Sequence, residues 1–453
     1  MSADGFTPVV DIGSGAGFSG DRTDSAGPVV ETLAASPRPA FLMYEMLAER
    51  TLADAQLAMR ENPAAGYSSR LRAFLETSLS PAKEAGIRIV GNFGAANPRG
   101  AAAEVLHLAN DLGLARLRVG IVEGDDLLAP GGAMAGVVGS WGKSAPAAAN
   151  AYLGADGIAK ALDEGADVVV TGRVADPSLA LGPLLHTLGW ADDDWDRLAA
   201  GTLVGHLLEC AAQVTGGYFA DPGSKDVPDL VDVGFPIAEV VADGSAVITK
   251  PAGTGGAVTL ATVKEQMLYE IHDPAAYLTP DVVLDMTDVR LAEAGPDRVH
   301  LSGARGHARP RTLKITACWP GGYKGEAGIS YGGPNAAARG RLAEKIIHER
   351  LAKLYPDLEF ETGLIGLTSL SGAATPADAP EPIDVRLRLA ARADDVGLVE
   401  AALAEVEALY LNGPAGGGGV RRQVTPELNT DSLYVDRANV TSRVSVVESL
   451  DEL

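Results

Sequence analysis

His206, Glu209 and Cys210 stand three and four residues apart, the spacing that puts side chains on one face of a helix, here read as residues 202–213. A histidine beside a carboxylate can move a proton, so His206 and Glu209 are candidates for general acid–base work. Cys210 could add a nucleophile, although a lone cysteine is more commonly a buried packing residue. A helix face that docks against the rest of the fold would carry the same residues. A metal would need a further ligand and supporting partners that the sequence does not identify, and none is expected.

Those side chains need elements to position them. Short β-rich runs at 9–12, 40–44, 87–90, 117–122 and 167–171 alternate with alanine-rich helical stretches. This predicts an α/β fold: a doubly wound parallel sheet within residues 1–215, followed by a smaller α+β part over 216–453. In the second part the β-runs are 230–233, 246–249, 312–317 and 385–389, and two helices are expected at 335–354 and 395–409. Ligands of parallel sheets bind beyond the carboxyl ends of the strands. The residues there are 13–22, Glu45, Asn92 with Asn97, Glu123 with Asp125 and Asp126, and Arg173 with Asp176. Helix caps and turns explain many of these singly, but five polar strand ends would converge on one cleft. Asp125, Asp126, Arg173, Asp176, His206 and Glu209 are therefore the catalytic candidates.

Three glycine clusters are candidates for binding. Gly15, Gly17 and Gly20 spell G-x-G-x-x-G, but Asp21, Arg22, Thr23 and Asp24 follow where a dinucleotide fold has an apolar helix start. A nicotinamide site and another kind of anion loop both stay open, with Gly15, Gly17, Phe18, Gly20, Asp21 and Arg22, and with Asn92 and Asn97, as substrate or anion candidates. Lys250, Thr254, Gly255 and Gly256 precede a helical pattern at 259–271, an arrangement that receives phosphate or carboxylate, or that is a plain tight turn. Gly413, Gly416, Gly417, Gly418 and Gly419 come before Arg421 and Arg422 and suit an anion loop or a subunit contact. The glycine- and proline-rich residues 129–149, with Lys143, read as an active-site lid, and 371–382 as a surface loop.

The 453 residues carry a net charge of −23, which opposes binding to nucleic acid or an anionic membrane. The 2 cysteines are too few for a disulfide framework. No apolar run reaches membrane-spanning length, and the N-terminus lacks the basic and apolar regions of a signal peptide, so a cytoplasmic protein is expected. A small-molecule substrate and a homo-oligomer are expected, and no cofactor is required by any motif.

The strings GSGAGFSGDR (13–22), GNFGAANP (91–98), VEGDD (122–126), ANAYLGADGIAKALDEGADVVVTGRVADPSL (149–179), GHLLECAAQVTGG (205–217), KPAGTGGAVTLATVKEQMLYEI (250–271) and NGPAGGGGV (412–420) together resemble the acyclic terpene utilisation family, AtuA. The resemblance runs nearly end to end and in the family's order, departing at residues 39–45, where an Asp-Tyr-Leu-like sequence is expected. It implies a place in the catabolism of citronellol and geraniol, which proceeds through acyl-coenzyme A thioesters. The activity implied is hydratase, dehydratase or lyase chemistry on a branched or acyclic terpenoid acyl-coenzyme A or related carboxylate, with coenzyme A entering as part of the substrate. A non-catalytic scaffold or ligand-binding subunit is the alternative. Some members carry an additional C-terminal domain of ferredoxin-like fold, or have it as a small separate protein. The chain is expected to lack that domain, which leaves open a small ferredoxin-fold partner subunit.

Overall fold

Runs of β-branched and other apolar residues too short for helices form a ten-stranded sheet. Its strand order is Arg290–Gly295, Arg298–Ser302, Ala246–Thr249, Ile237–Val240, Val10–Ala16, Ala40–Tyr44, Arg88–Gly91, Val168–Thr171, Val119–Glu123 and Arg443–Val447. The five strands from Val10–Ala16 to Val119–Glu123 are mutually parallel. The four on one side and the last on the other pair antiparallel. The fold is thus mixed α/β. The computed structural model describes residues 7, 9–129, 132, 146–370, 372 and 380–453.

Side chains of the parallel strands alternate between two cores, as a period of two requires. Phe41, Met43, Val90, Val122 and Val169 join the helices Asp156–Asp163, Ser178–Leu188 and Trp195–Glu209. Leu42, Tyr44, Ile89, Ile121 and Val170 join the helices Ala26–Ala34 and Pro98–Asp111 on the other side. Both faces are buried, which explains why these strands read as continuous apolar runs.

The chain divides into two compact units, Met1–Cys318 with Thr430–Leu453, and Trp319–Asn429. The expected boundary after residue 215 falls inside the first unit, because Ile237–Val240 and Ala246–Thr249 hydrogen-bond onto the edge of the parallel strands. In the second unit the strands Glu359–Ile365 and Asp384–Ala393, and the parts of Thr312–Gly332 and Gly418–Asp436 that fall within it, lie in the order Glu359–Ile365, Asp384–Ala393, Thr312–Gly332, Gly418–Asp436, with the helices Ala336–Leu354 and Val396–Asn412 between them in sequence. That β-α-β-β-α-β succession is the ferredoxin-like arrangement. Val385, Leu387, Leu389 and Ala391 point into its core with Ile329, Tyr331, Ile347 and Leu403.

Two local expectations change. Residues 230–233 form an exposed 3-10 turn, Leu230–Asp232, after the left-handed Asp229 (φ 42°), and not a strand. The first strand runs on through Gly13, Ser14 and Gly15 to Ala16, so the glycine turn starts later than expected. The expected lid at 129–149, Lys143 included, and the loop at 371–382 fall largely outside the described residues. Among the described residues no helix is long and apolar enough to cross a membrane.

Candidate functional site

The carboxyl ends of the parallel strands open on a cavity of about 480 Å³, lined entirely by the first unit. Gly17 and Phe18 follow the first strand, Glu45 the second, and Arg173 with Asp176 the strand Val168–Thr171. The polar residues after the other two strands lie behind this wall and orient it. Asn92 donates through Nδ2 to Glu45 Oε1 (2.9 Å) and accepts from the Met46 amide (2.6 Å). Asp125 Oδ2 accepts from the Arg173 amide (2.9 Å) and from Asn150 Nδ2 (2.8 Å). Burial pushes the Asp125 carboxyl up to about 6 despite those two bonds.

Arg173 is 1% exposed. Its Nε donates to the Val174 carbonyl (2.8 Å), Nη1 to the Leu47 carbonyl (2.6 Å) and Nη2 to Asp176. Its guanidinium lies 4.3 Å from the centre of the Tyr152 ring. Burial opposes the charge, but Asp176, Tyr152, Glu45 and Glu49 hold the Arg173 pKa above its ordinary value. Burial also raises Glu45 well above the usual carboxylate range, with Asp176 adding to it and Arg173 opposing.

On the same wall Tyr152 donates to Glu49 Oε1 (2.7 Å), and Lys314 Nζ donates to the same oxygen (3.1 Å). Lys314 Nζ also stands 4.7 Å from the Tyr152 ring centre. Burial would raise the Glu49 pKa, but the Tyr152 hydroxyl and Lys314 bring it down to about 2.

The helix Trp195–Glu209 ends at the cavity, one turn earlier than expected, with Cys210 as its C-cap. His206 Nδ1 meets Glu209 Oε1 at 2.7 Å, and Nε2 faces the Met267 carbonyl at 3.2 Å. A carbonyl only accepts, so Nε2 carries a hydrogen and a single further proton is shared between Nδ1 and Oε1. Burial raises Glu209 to about 7 against the opposing effect of His206, and Glu209 in turn raises His206. The other oxygen, Oε2, is buried without a hydrogen-bond partner. Burial and Glu209 together hold the Cys210 thiol far above its ordinary value, which removes the thiolate a nucleophile needs.

Of the residues expected from sequence, the cavity gathers Gly17, Phe18, Glu45, Arg173, Asp176, His206, Glu209 and Cys210. Asp125 and Asn92 stand behind it. Asp126 Oδ1 accepts the Leu128 amide in a turn, and Asn97 caps the helix Pro98–Asp111. Gly15 faces the Tyr44 ring, where a Cβ would sit 2.5 Å from Cε1, and at Gly20 a Cβ would sit 2.5 Å from a carbon of the Phe18 ring. The Gly17 amide donates to Asp21 (2.9 Å), and Arg22 reaches the Val231 carbonyl (3.0 Å) and Asp24 (3.1 Å). Lys250, Thr254, Gly255 and Gly256 lie apart from the cavity. Lys250 donates to the Thr254 carbonyl (2.7 Å) and pairs with Asp297 (3.4 Å). The amides of Gly255 and Gly256 bond to the carbonyls of Asp232 (2.7 Å) and Pro228 (2.8 Å), so neither is free for an anion. Glu49, Tyr152, Glu270, Tyr277 and Lys314 also line the cavity and lie outside the residues expected from sequence. Glu49 starts the helix Glu49–Glu61, Lys314 lies near the start of the strand Thr312–Gly332, and the residue types and spacing do not single them out. Among the described residues no group of three or more His, Cys, Asp or Glu could hold a metal.

The profile of the acyclic terpene utilisation family protein AtuA matches residues 10–446. The chain belongs to this family. Membership suggests a role in acyclic terpene utilisation. Comparison with curated proteins finds no match. The matched span includes every residue that lines the AtuA-family cavity, from Gly17 to Tyr434.

Proposed function

We propose that this AtuA-family chain is a catabolic enzyme that acts on a branched or acyclic terpenoid acyl-coenzyme A, or a related carboxylate, by hydratase, dehydratase or lyase chemistry. The observation that carries the reading is the Glu209 carboxylate. One oxygen shares a proton with His206 and the other is buried without a partner on the wall of the cavity. A carboxylate raised to about 7 is matched to taking a proton from a weak carbon acid near neutrality. In the same cavity lining, Arg173 retains two N–H groups beyond the three engaged above, and Lys314 retains an ammonium hydrogen beyond those directed at Glu49 and Tyr152. Such donors favour the negative oxygen that develops when a proton leaves the carbon beside a carbonyl. Leu47, Ile271, Leu278 and Leu313 supply apolar wall for a hydrocarbon chain, and about 480 Å³ lies in the ordinary range of small-molecule sites.

The test is exchange of the proton beside the thioester carbonyl. The purified protein is incubated in deuterium oxide with a panel of branched acyl-coenzyme A thioesters, and mass spectrometry reads the label taken up. Wild type is expected to label at least one thioester, and Glu209→Gln to lose the label by two or more orders of magnitude while remaining folded. Absence of label from every thioester, or full labelling by Glu209→Gln, overturns the reading. Glu209 is the better target than Arg173, whose removal also unties Leu47, Val174 and Asp176.

A further inference from the structure

A second, open groove of about 740 Å³ shares Tyr269 and Glu270 with the rim of the cavity. Its floor is apolar: Phe219 and, on one helical face two turns apart, Ala261 and Leu268 of the helix Leu260–Leu268. Its sides carry Ser224, Lys225 and Lys264. Lys225 Nζ meets Glu265 at 2.5 Å and lies 4.7 Å from the Phe219 ring centre. Lys264 is exposed and forms no ion pair among the described residues, in a chain of net charge −23.

The junction between groove and cavity is unusual in its backbone. Tyr218 (φ 60°) and Glu270 (φ 61°) are both bulky residues held in the left-handed region, where such side chains are strained. Strain of this kind persists where the surrounding structure imposes it and gathers at binding sites. The Tyr218 ring, 86% exposed, stands edge-on to Tyr269 with centroids 6.3 Å apart. Tyr269 and Glu270 thus line both spaces, with Tyr218 packed against Tyr269 and the Glu270 carboxylate as an acceptor.

We propose that this groove seats the phosphopantetheine arm of a coenzyme A thioester whose acyl group lies in the cavity. The proposal rests on the acyl-thioester reading of that cavity. A coenzyme A thioester is far longer than a space of about 480 Å³, so its distal part must leave through the rim. An arm of alternating methylene and amide groups suits the mixed lining: apolar floor and tyrosines for the carbons, Glu270 for an amide N–H. Lys264 and Lys225 meet the phosphates at the outer end, Lys225 exchanging its partner Glu265 for a more highly charged one.

Titration calorimetry of the full chain with free coenzyme A, and with pantetheine, which has no phosphate, tests this. Wild type is expected to bind coenzyme A at least tenfold more tightly than pantetheine. Lys225→Glu/Lys264→Glu is expected to weaken coenzyme A at least tenfold, with Lys264→Ala as a milder companion should the double variant unfold. Equal coenzyme A affinity in wild type and variants overturns the proposal. If those variants bind coenzyme A normally while wild type still labels the thioester in deuterium oxide, the groove falls and the reading of the cavity stands. If coenzyme A binding depends on the lysines but no thioester is labelled, the groove stands and the chemistry falls. Failure of wild type to bind coenzyme A at all overturns both.

Discussion

Glu209 and Asp125 are both carboxyls that burial raises, yet they predict different behaviour because only Glu209 lines the cavity. A base must be ionised to act, so the deuterium-exchange rate is expected to rise with pH through about 7 as Glu209 loses its proton. A rate that is flat from pH 5 to 9 would rule out Glu209 as the base. For Asp125 the consequence is stability. Its folded pKa, about 6, exceeds the ordinary 3.8, so the folded chain holds the proton more tightly than the unfolded one. The stability this contributes is complete below pH 3.8 and lost as pH rises through about 6. The difference of about 2 units corresponds to about 3 kcal/mol. An amide can keep both bonds accepted by Oδ2, so Asp125→Asn is expected to melt higher than wild type at pH 8, with the gap closing toward pH 4. Melting curves across that range check it, and a gap that does not change with pH refutes it.

The loop after the first strand is shaped by how closely the chain approaches itself. At Gly17 a Cβ would lie 2.5 Å from the Cys210 carbonyl carbon and 2.8 Å from the Ala211 nitrogen. Both are backbone atoms at the end of the helix that carries His206 and Glu209, so neither can swing aside. Gly17→Ala is expected to destabilise by about 1–3 kcal/mol. The thermal midpoint of Gly17→Ala should fall below that of wild type, and an unchanged midpoint refutes the close approach. Gly15 thus admits the Tyr44 ring and Gly17 the Cys210 backbone, while Gly17 also lines the cavity.

Each unit has its own core. The two apolar clusters around the ten-stranded sheet contain no residue from 319–429, and the cluster of the ferredoxin-like unit contains none from outside it. The residues lining the cavity all belong to the first unit as well. Replacing residues 319–429 with a short glycine–serine linker is therefore expected to leave a chain that unfolds cooperatively and still binds ligand in the cavity. Loss of the cooperative transition would show that the first unit depends on the second.

Strand ends were legible because they depend on local pattern: apolar runs of four to seven residues mark strands, and whatever polar residue follows stands at the carboxyl edge. That is how Arg173 and Asp176 were found, and the three-and-four spacing on one helix found His206 and Glu209. Which strand-end residues face the cavity was not legible, since Asn92 and Asp125 differ from Glu45 and Arg173 only in what their side chains meet. Nor were Glu49 and Lys314, which share a contact across 265 residues of chain. Composition and short-range periodicity thus carried the α/β class and the edge where chemistry gathers. The proton-sharing pair, the buried arginine and Lys314 became one site through folding, because contact between distant residues leaves no trace in local spacing.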